Sequence, residues 1–109
     1  MPFTQENVMR VPEAILGVFQ LGHGDGVISF VGRADDDLRQ RLLDNLGKGY
    51  EEFQYANLPW VKETYEMQCR LYHHAGGRKC LDNADHPFPP EGKLWRCAMS
   101  ATTPAMCEL

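Results

Sequence analysis

Gly17-Val18-Phe19-Gln20-Leu21 and Phe30-Val31-Gly32-Arg33, followed by Asp36-Asp37-Leu38-Arg39-Gln40-Arg41-Leu42, are the segments whose reading decides the fold. The apolar runs over 18–21 and 27–31 flank the connector Gly22-His23-Gly24-Asp25-Gly26, and this predicts two antiparallel strands joined by a glycine-rich loop. Asp35, Asp36 and Asp37 offer capping side chains and favourable charge at a helix start, while Gly47 and Gly49 supply its stop. Leu38, Leu42 and Leu46 recur every fourth residue and give that helix one apolar stripe.

Working outward, residues 50–55 alternate loosely and predict a third strand, although Glu51-Glu52 interrupts the pattern. Pro59 suits the first turn of a second helix, which runs to about His74 and ends at Gly76-Gly77. Residues 1–13 are polar, contain Pro2 and Pro12, and read as an arm leading into the first strand. Beyond Cys80 the prolines Pro87, Pro89, Pro90 and Pro104 predict an irregular tail, with a short strand near 94–99. The expectation is one α/β domain over 1–109, with a core at about 12–83 and a tail at 84–109.

A chain of 109 residues with 43% hydrophobic and 24% charged residues has the composition of an ordinary globule. It contains no apolar run near the roughly 20 residues of a membrane span, and its first residues lack the basic start and apolar stretch of a secretory signal. A cytoplasmic protein with no membrane association is the expectation. The net charge of −4 gives no general attraction to phosphate backbones, so a nucleic-acid site has to be a local patch. Arg33, Arg39, Arg41 and Lys48 flank the first helix, and Arg70, Arg78 and Lys79 lie near the end of the second. Beside three aspartates this reads as a mixed surface rather than a phosphate track.

Arg41 and Asn45 are four apart and share one edge of the leucine stripe. On the second helix Val61, Tyr65, Gln68 and Tyr72 fall on one line, with Glu63 and Glu66 pointing away from it. Gln68 therefore needs a partner, because a buried unpaired amide costs about 1–3 kcal/mol.

Taken with their spacing, the segments from Gly17 to Asn83 resemble a GIY-YIG endonuclease domain. The resemblance implies a small α/β fold with a three-stranded antiparallel sheet flanked by helices, and a tyrosine in each of the first two motifs. It further implies an Arg and a His or Tyr one turn apart, a metal-binding Glu on a later helix, and an Asn about fifteen residues beyond. Those positions are Phe19, Phe30, Arg41, Asn45, Gln68 and Asn83, so that residue type is kept at Arg41 and Asn83 alone. In the mechanism the family implies, the Glu holds a divalent ion on the phosphate, a Tyr or His assists proton removal from water, and the Arg stabilises developing charge. Phenylalanine moves no proton, asparagine is no base near neutral pH, and Gln68 lacks the charge a hard Mg²⁺ seeks.

The substitutions point to a domain that has left catalysis and keeps a role in binding nucleic acid, such as DNA, or a protein partner. An active Mg²⁺-dependent endonuclease using a shifted carboxylate, Glu66 or Glu63, with Arg41 is the alternative. Each residue alone has a blander reading: Phe19 and Phe30 as core aromatics, Arg41 as a solvated helix arginine.

A second group begins on the same helix. Cys69 and His73 are i, i+4 and share a face, and His86 and Cys97 follow in the tail. These four suit a tetrahedral zinc that would tie the proline-rich tail to the helix, with Cys80 able to replace any one of them and Cys107 left as a free thiol. A zinc-stapled protein-interaction module is thus a third reading. The bland one is a buried Cys69, a helix-capping His73 and a loop His86.

Overall fold

The computed structural model describes residues 1–83, 86–95 and 97, with Arg78 described by its backbone alone. Strand β1 (Gly17–Gly22) lies at the centre of a three-stranded antiparallel sheet, between β2 (Ile28–Ala34) and β3 (Glu52–Asn57). Being central, β1 is buried along almost its whole length, whereas the edge strand β3 buries Phe53 and exposes its neighbours. The alternation around Glu51-Glu52 therefore marks an edge. The strand begins two residues later than the sequence predicts, because Tyr50 and Glu51 form the approach to it and Glu51 N–H donates to Gly22 C=O at 2.8 Å.

One sheet face carries Phe19, Leu21 and Phe53, packed on Leu38 and Leu42 of helix α2 (Leu38–Asp44). Asp37 caps α2, its carboxylate accepting from Gln40 N–H, and the helix ends at Asn45, where 3₁₀-type bonds tighten the last turn before Gly47. On the opposite face α3 (Val61–His74) sets Tyr72 against Val31 and Leu81. Trp60, not Pro59, is its N-cap, so the proline stands just outside the first turn. Gly76 then takes a φ of 100°, a left-handed conformation that stops the helix as its glycine predicts.

The N-terminal segment is not an arm. Phe3, Val8 and Val11 are buried in the main core, and a single helical turn, α1 (Gln5–Val8), is capped by Thr4. Phe53 N–H donates to Met1 C=O at 2.9 Å, and Arg39 donates from Nε to Val11 C=O at 2.7 Å. Partners far along the chain hold this segment, and its polar composition and prolines carry no local sign of them. The strand expected at 94–99 falls on residues 96, 98 and 99, outside the described ones, and Leu94, Trp95 and Cys97 are not in a strand.

Two glycines of the opening motifs have packing reasons. A Cβ on Gly17 would strike the backbone carbonyl of Ala56 in β3, and one on Gly32 would strike the ring of Phe19. Asn83 works as a substitute strand. Its Oδ1 accepts from Val31 N–H at 3.0 Å and its Nδ2 donates to Val31 C=O at 2.7 Å, closing the free edge of β2. Asn83→Ala should lower stability by about 1–3 kcal/mol, since both backbone groups of Val31 lose their partner. A urea midpoint unchanged at constant slope would contradict this role.

Candidate functional site

Where β2 ends and turns into α2, an open cleft of about 430 Å³ is lined by Arg33, Asp35, Asp36, Arg41, Gln68, His86, Pro87 and Phe88. Arg33 is the organising group. Its Nη1 donates to Gln68 Oε1 at 3.1 Å, its Nε pairs with Asp35 at 2.9 Å, and its guanidinium lies 5.3 Å from the centre of the Tyr65 ring. With the Arg33 side chain 13% exposed, this is a fixed cation rather than a mobile surface charge. Gln68 thus has the partner that its place on an apolar helix face demands.

Arg41 is held more loosely. Its contacts to Asp36 at 3.4 Å and Asp44 at 3.6 Å are long, and its side chain is 47% exposed. Exposed pairs of that kind contribute little and are readily exchanged for another anion. Arg39 is committed elsewhere, to Met9 and Val11 carbonyls and to Glu13, so it adds nothing to the cleft.

Of the six positions that resemble the family's site, Arg41 and Gln68 line this cleft. Phe19 is buried in the main core on the α2 face of the sheet, stacked on Phe30 at 6.1 Å. Asn45 is the α2 C-cap, donating to Arg41 C=O and accepting from Lys48 Nζ. Asn83 is occupied with Val31. Glu63 and Glu66 do not line the cleft; the carboxylates that do are Asp35 and Asp36, each paired with an arginine. In the sequence Arg33 reads as part of a mixed surface and Asp35 as a helix-capping candidate; the signal for a site role was Arg33 directly after the second motif glycine.

Tyr50 lies beside Phe30 and Tyr65 beside Arg33, and neither suits proton transfer. Tyr50, 6.2 Å from Phe30 ring to ring, donates to Asp82 at 2.8 Å, and burial together with that carboxylate pushes its phenol up to about 12. Burial likewise pushes Tyr65 far above the ordinary phenol value.

A second cluster adjoins the cleft. His73 Nε2 lies 2.9 Å from His86 Nε2 and 3.2 Å from Cys97 Sγ, and the three donor atoms fall within 4.8 Å of one another, a group able to hold a metal ion. Burial, and then the neighbouring His86, lowers the pKa of His73 below its ordinary 6.5, which keeps the imidazole neutral and its lone pair available. Cys69, the fourth ligand expected from the sequence, stands outside this group; it packs with Tyr65 and Cys97 in a small apolar cluster. Its i, i+4 relation to His73 gives a common helix face but not a common focus, because donor atoms on different side chains need not converge. Cys80 is exposed and also outside the group, and Cys107 lies outside the described residues.

The architecture is a GIY-YIG-like fold. Its three-stranded sheet and helices match the GIY-YIG N-terminal endonuclease domain of UvrC from Thermotoga maritima, solved as a Tyr-to-Phe point mutant bound to the catalytic divalent cation. The TM-score is 0.56 at 18% identity, over 69% of this chain and 96% of that one, a likeness that shows the fold alone. No protein-family model and no curated protein matches the chain. Among the described residues no helix is long and apolar enough to cross a membrane.

Proposed function

We propose that this is a catalytically silent GIY-YIG-like domain that binds nucleic acid through the cleft between Arg41 and Phe88. The observation that carries the reading is the hydrogen bond from Arg33 to Gln68. At the position where the resemblance puts a metal-binding carboxylate, a neutral amide faces a fixed guanidinium, and a divalent cation entering there would meet repulsion instead of a ligand. The exposed Arg41 and the Phe88 ring, 64% exposed, are a cation for a phosphate and an apolar surface for a base.

The cofactor this reading assigns is zinc at His73, His86 and Cys97, not magnesium in the cleft. Two imidazoles and a thiol are borderline-to-soft donors that suit zinc, whereas magnesium demands oxygen. The thiols of Cys69 and Cys80 stand outside any disulfide, which fits a reducing cytosol.

Affinity for branched or single-stranded DNA should be weak and salt-sensitive, in the range of about 10⁻⁴ to 10⁻⁶ M at physiological salt. In anisotropy titrations at low salt, Arg41→Ala should weaken binding about tenfold and flatten the salt slope by about one phosphate contact. Arg10→Ala, at an exposed arginine outside the cleft, should leave it unchanged. No binding at low salt, or equal losses from the two variants, would transfer the role to a protein partner.

A further inference from the structure

We propose that zinc bound by His73, His86 and Cys97 clips the tail onto α3 and so builds the Pro87–Phe88 wall of the cleft. The inference deepens the reading of the cleft as the functional site, and rests on that reading for its consequence but not for its geometry.

His73 is in the last turn of α3 and buried, so one donor is fixed to the folded core. His86 and Cys97 come from the tail, and they bracket the stretch that contains Pro87 and Phe88. That stretch has neither helix nor strand among its described residues, and Phe88 and Leu94 are strongly exposed. Its described packing on the core is concentrated at its two ends, where His86 meets His73 and Tyr72, and where Trp95 packs on Tyr65 beside Cys97. Pro87 is buried beside His86, but residues 91–94 are exposed, and a segment with so exposed a middle is held by whatever fixes its ends.

The ends converge on one point. Two Nε2 atoms and one Sγ, lying 2.9 and 3.2 Å apart as neighbours, are slightly closer than the roughly 3.3–3.6 Å between donors around a tetrahedral zinc with ordinary bond lengths. Opening by a few tenths of an ångström seats the ion. Binding takes two neutral imidazoles and the Cys97 thiolate, and the thiol proton is released to solvent. Because His86 is both a metal donor and a cleft-lining residue, with Pro87 and Phe88 directly after it, seating the ion sets the wall opposite Arg33 and Arg41.

The test uses the full chain, stripped with a chelator and reloaded with zinc(II) or cobalt(II) alone. Elemental analysis should find about one zinc per chain, and the cobalt form should show tetrahedral absorption with a thiolate charge-transfer band. Hydrogen–deuterium exchange of residues 86–95 should slow at least tenfold on zinc addition, while β1 is unaffected. His86→Ala, at a residue that is not fully buried, should lose zinc uptake and the slowed exchange with the sheet intact, and Cys97→Ser should lose the charge-transfer band. Absence of zinc uptake by the unaltered chain, equal uptake by the variants, or uptake without slowed exchange would overturn the clip. These readouts use no oligonucleotide, so a zinc-loaded chain that shows all of them yet binds no DNA supports the clip and refutes the proposed cleft ligand.

Discussion

Incubated with Mg²⁺ or Mn²⁺, the purified protein should leave supercoiled plasmid and branched DNA uncut, and Gln68→Glu should not restore cleavage. A glutamate at position 68 would be neutralised by Arg33, which already donates to that side chain at 3.1 Å and is itself anchored by Asp35 and Tyr65. The carboxylate would gain an ion pair, not a divalent metal. Proton transfer would still be missing, and a positioned acid or base contributes about 10²–10⁴-fold to rate. Tyr50, beside Phe30, is held protonated with its phenol pushed up to about 12, and Tyr65, beside Arg33 of the cleft wall, is pushed up by burial. Gel assays of nicked and linear product over several hours measure this directly. Robust cleavage by the unaltered chain, lost in Arg41→Ala, would show that the cleft is catalytic and would end the silent reading.

Phe19→Ala should lower the stability of the domain by about 3–5 kcal/mol, a large share of the 5–15 kcal/mol typical of a folded domain. Phe19 is 3% exposed, lies across Gly32 and stacks on Phe30, so truncation opens a cavity in the centre of the main cluster. The Gly32 backbone cannot fill it. Phe19→Tyr distinguishes a core position from a catalytic one: the added hydroxyl enters an apolar cluster, and the result should be lower stability with no gain of cleavage. Urea unfolding followed by fluorescence measures both. A loss below about 1 kcal/mol for the alanine variant, accompanied by weaker DNA binding, would move Phe19 from the core to the cleft.

The order of elements was legible because it depends on local chemistry. Glycine-flanked apolar runs make a hairpin, an aspartate run supplies a helix cap, and a four-residue leucine spacing makes its buried stripe, whatever lies elsewhere in the chain. Element ends drifted by a residue or two, as at β3, where Glu51 N–H donates to Gly22 C=O just before the strand, and at Pro59, where Trp60 is the cap. The N-terminal segment was misread for a related reason. Phe3, Val8 and Val11 are apolar residues scattered among polar ones, and what buries them is β3, α2 and Arg39, none of which is near in sequence.

The sequence by itself determined which residue types stand at the positions that resemble the family's site. With Phe19, Phe30, Asn45 and Gln68 at the four substituted positions, neither a proton-transfer group nor a metal-binding carboxylate stands at any of them, and no folding can supply one there. Tertiary structure decided which of the remaining groups meet. It joined Arg33 to Gln68 across β2 and α3, turned Asn83 into a partner for Val31, and selected His73, His86 and Cys97 over Cys69. Residue type and spacing along a helix state which side chains share a face. Convergence of donor atoms on one point depends on side-chain direction and on how the tail packs against that helix, and these are set by contacts between residues distant in the chain.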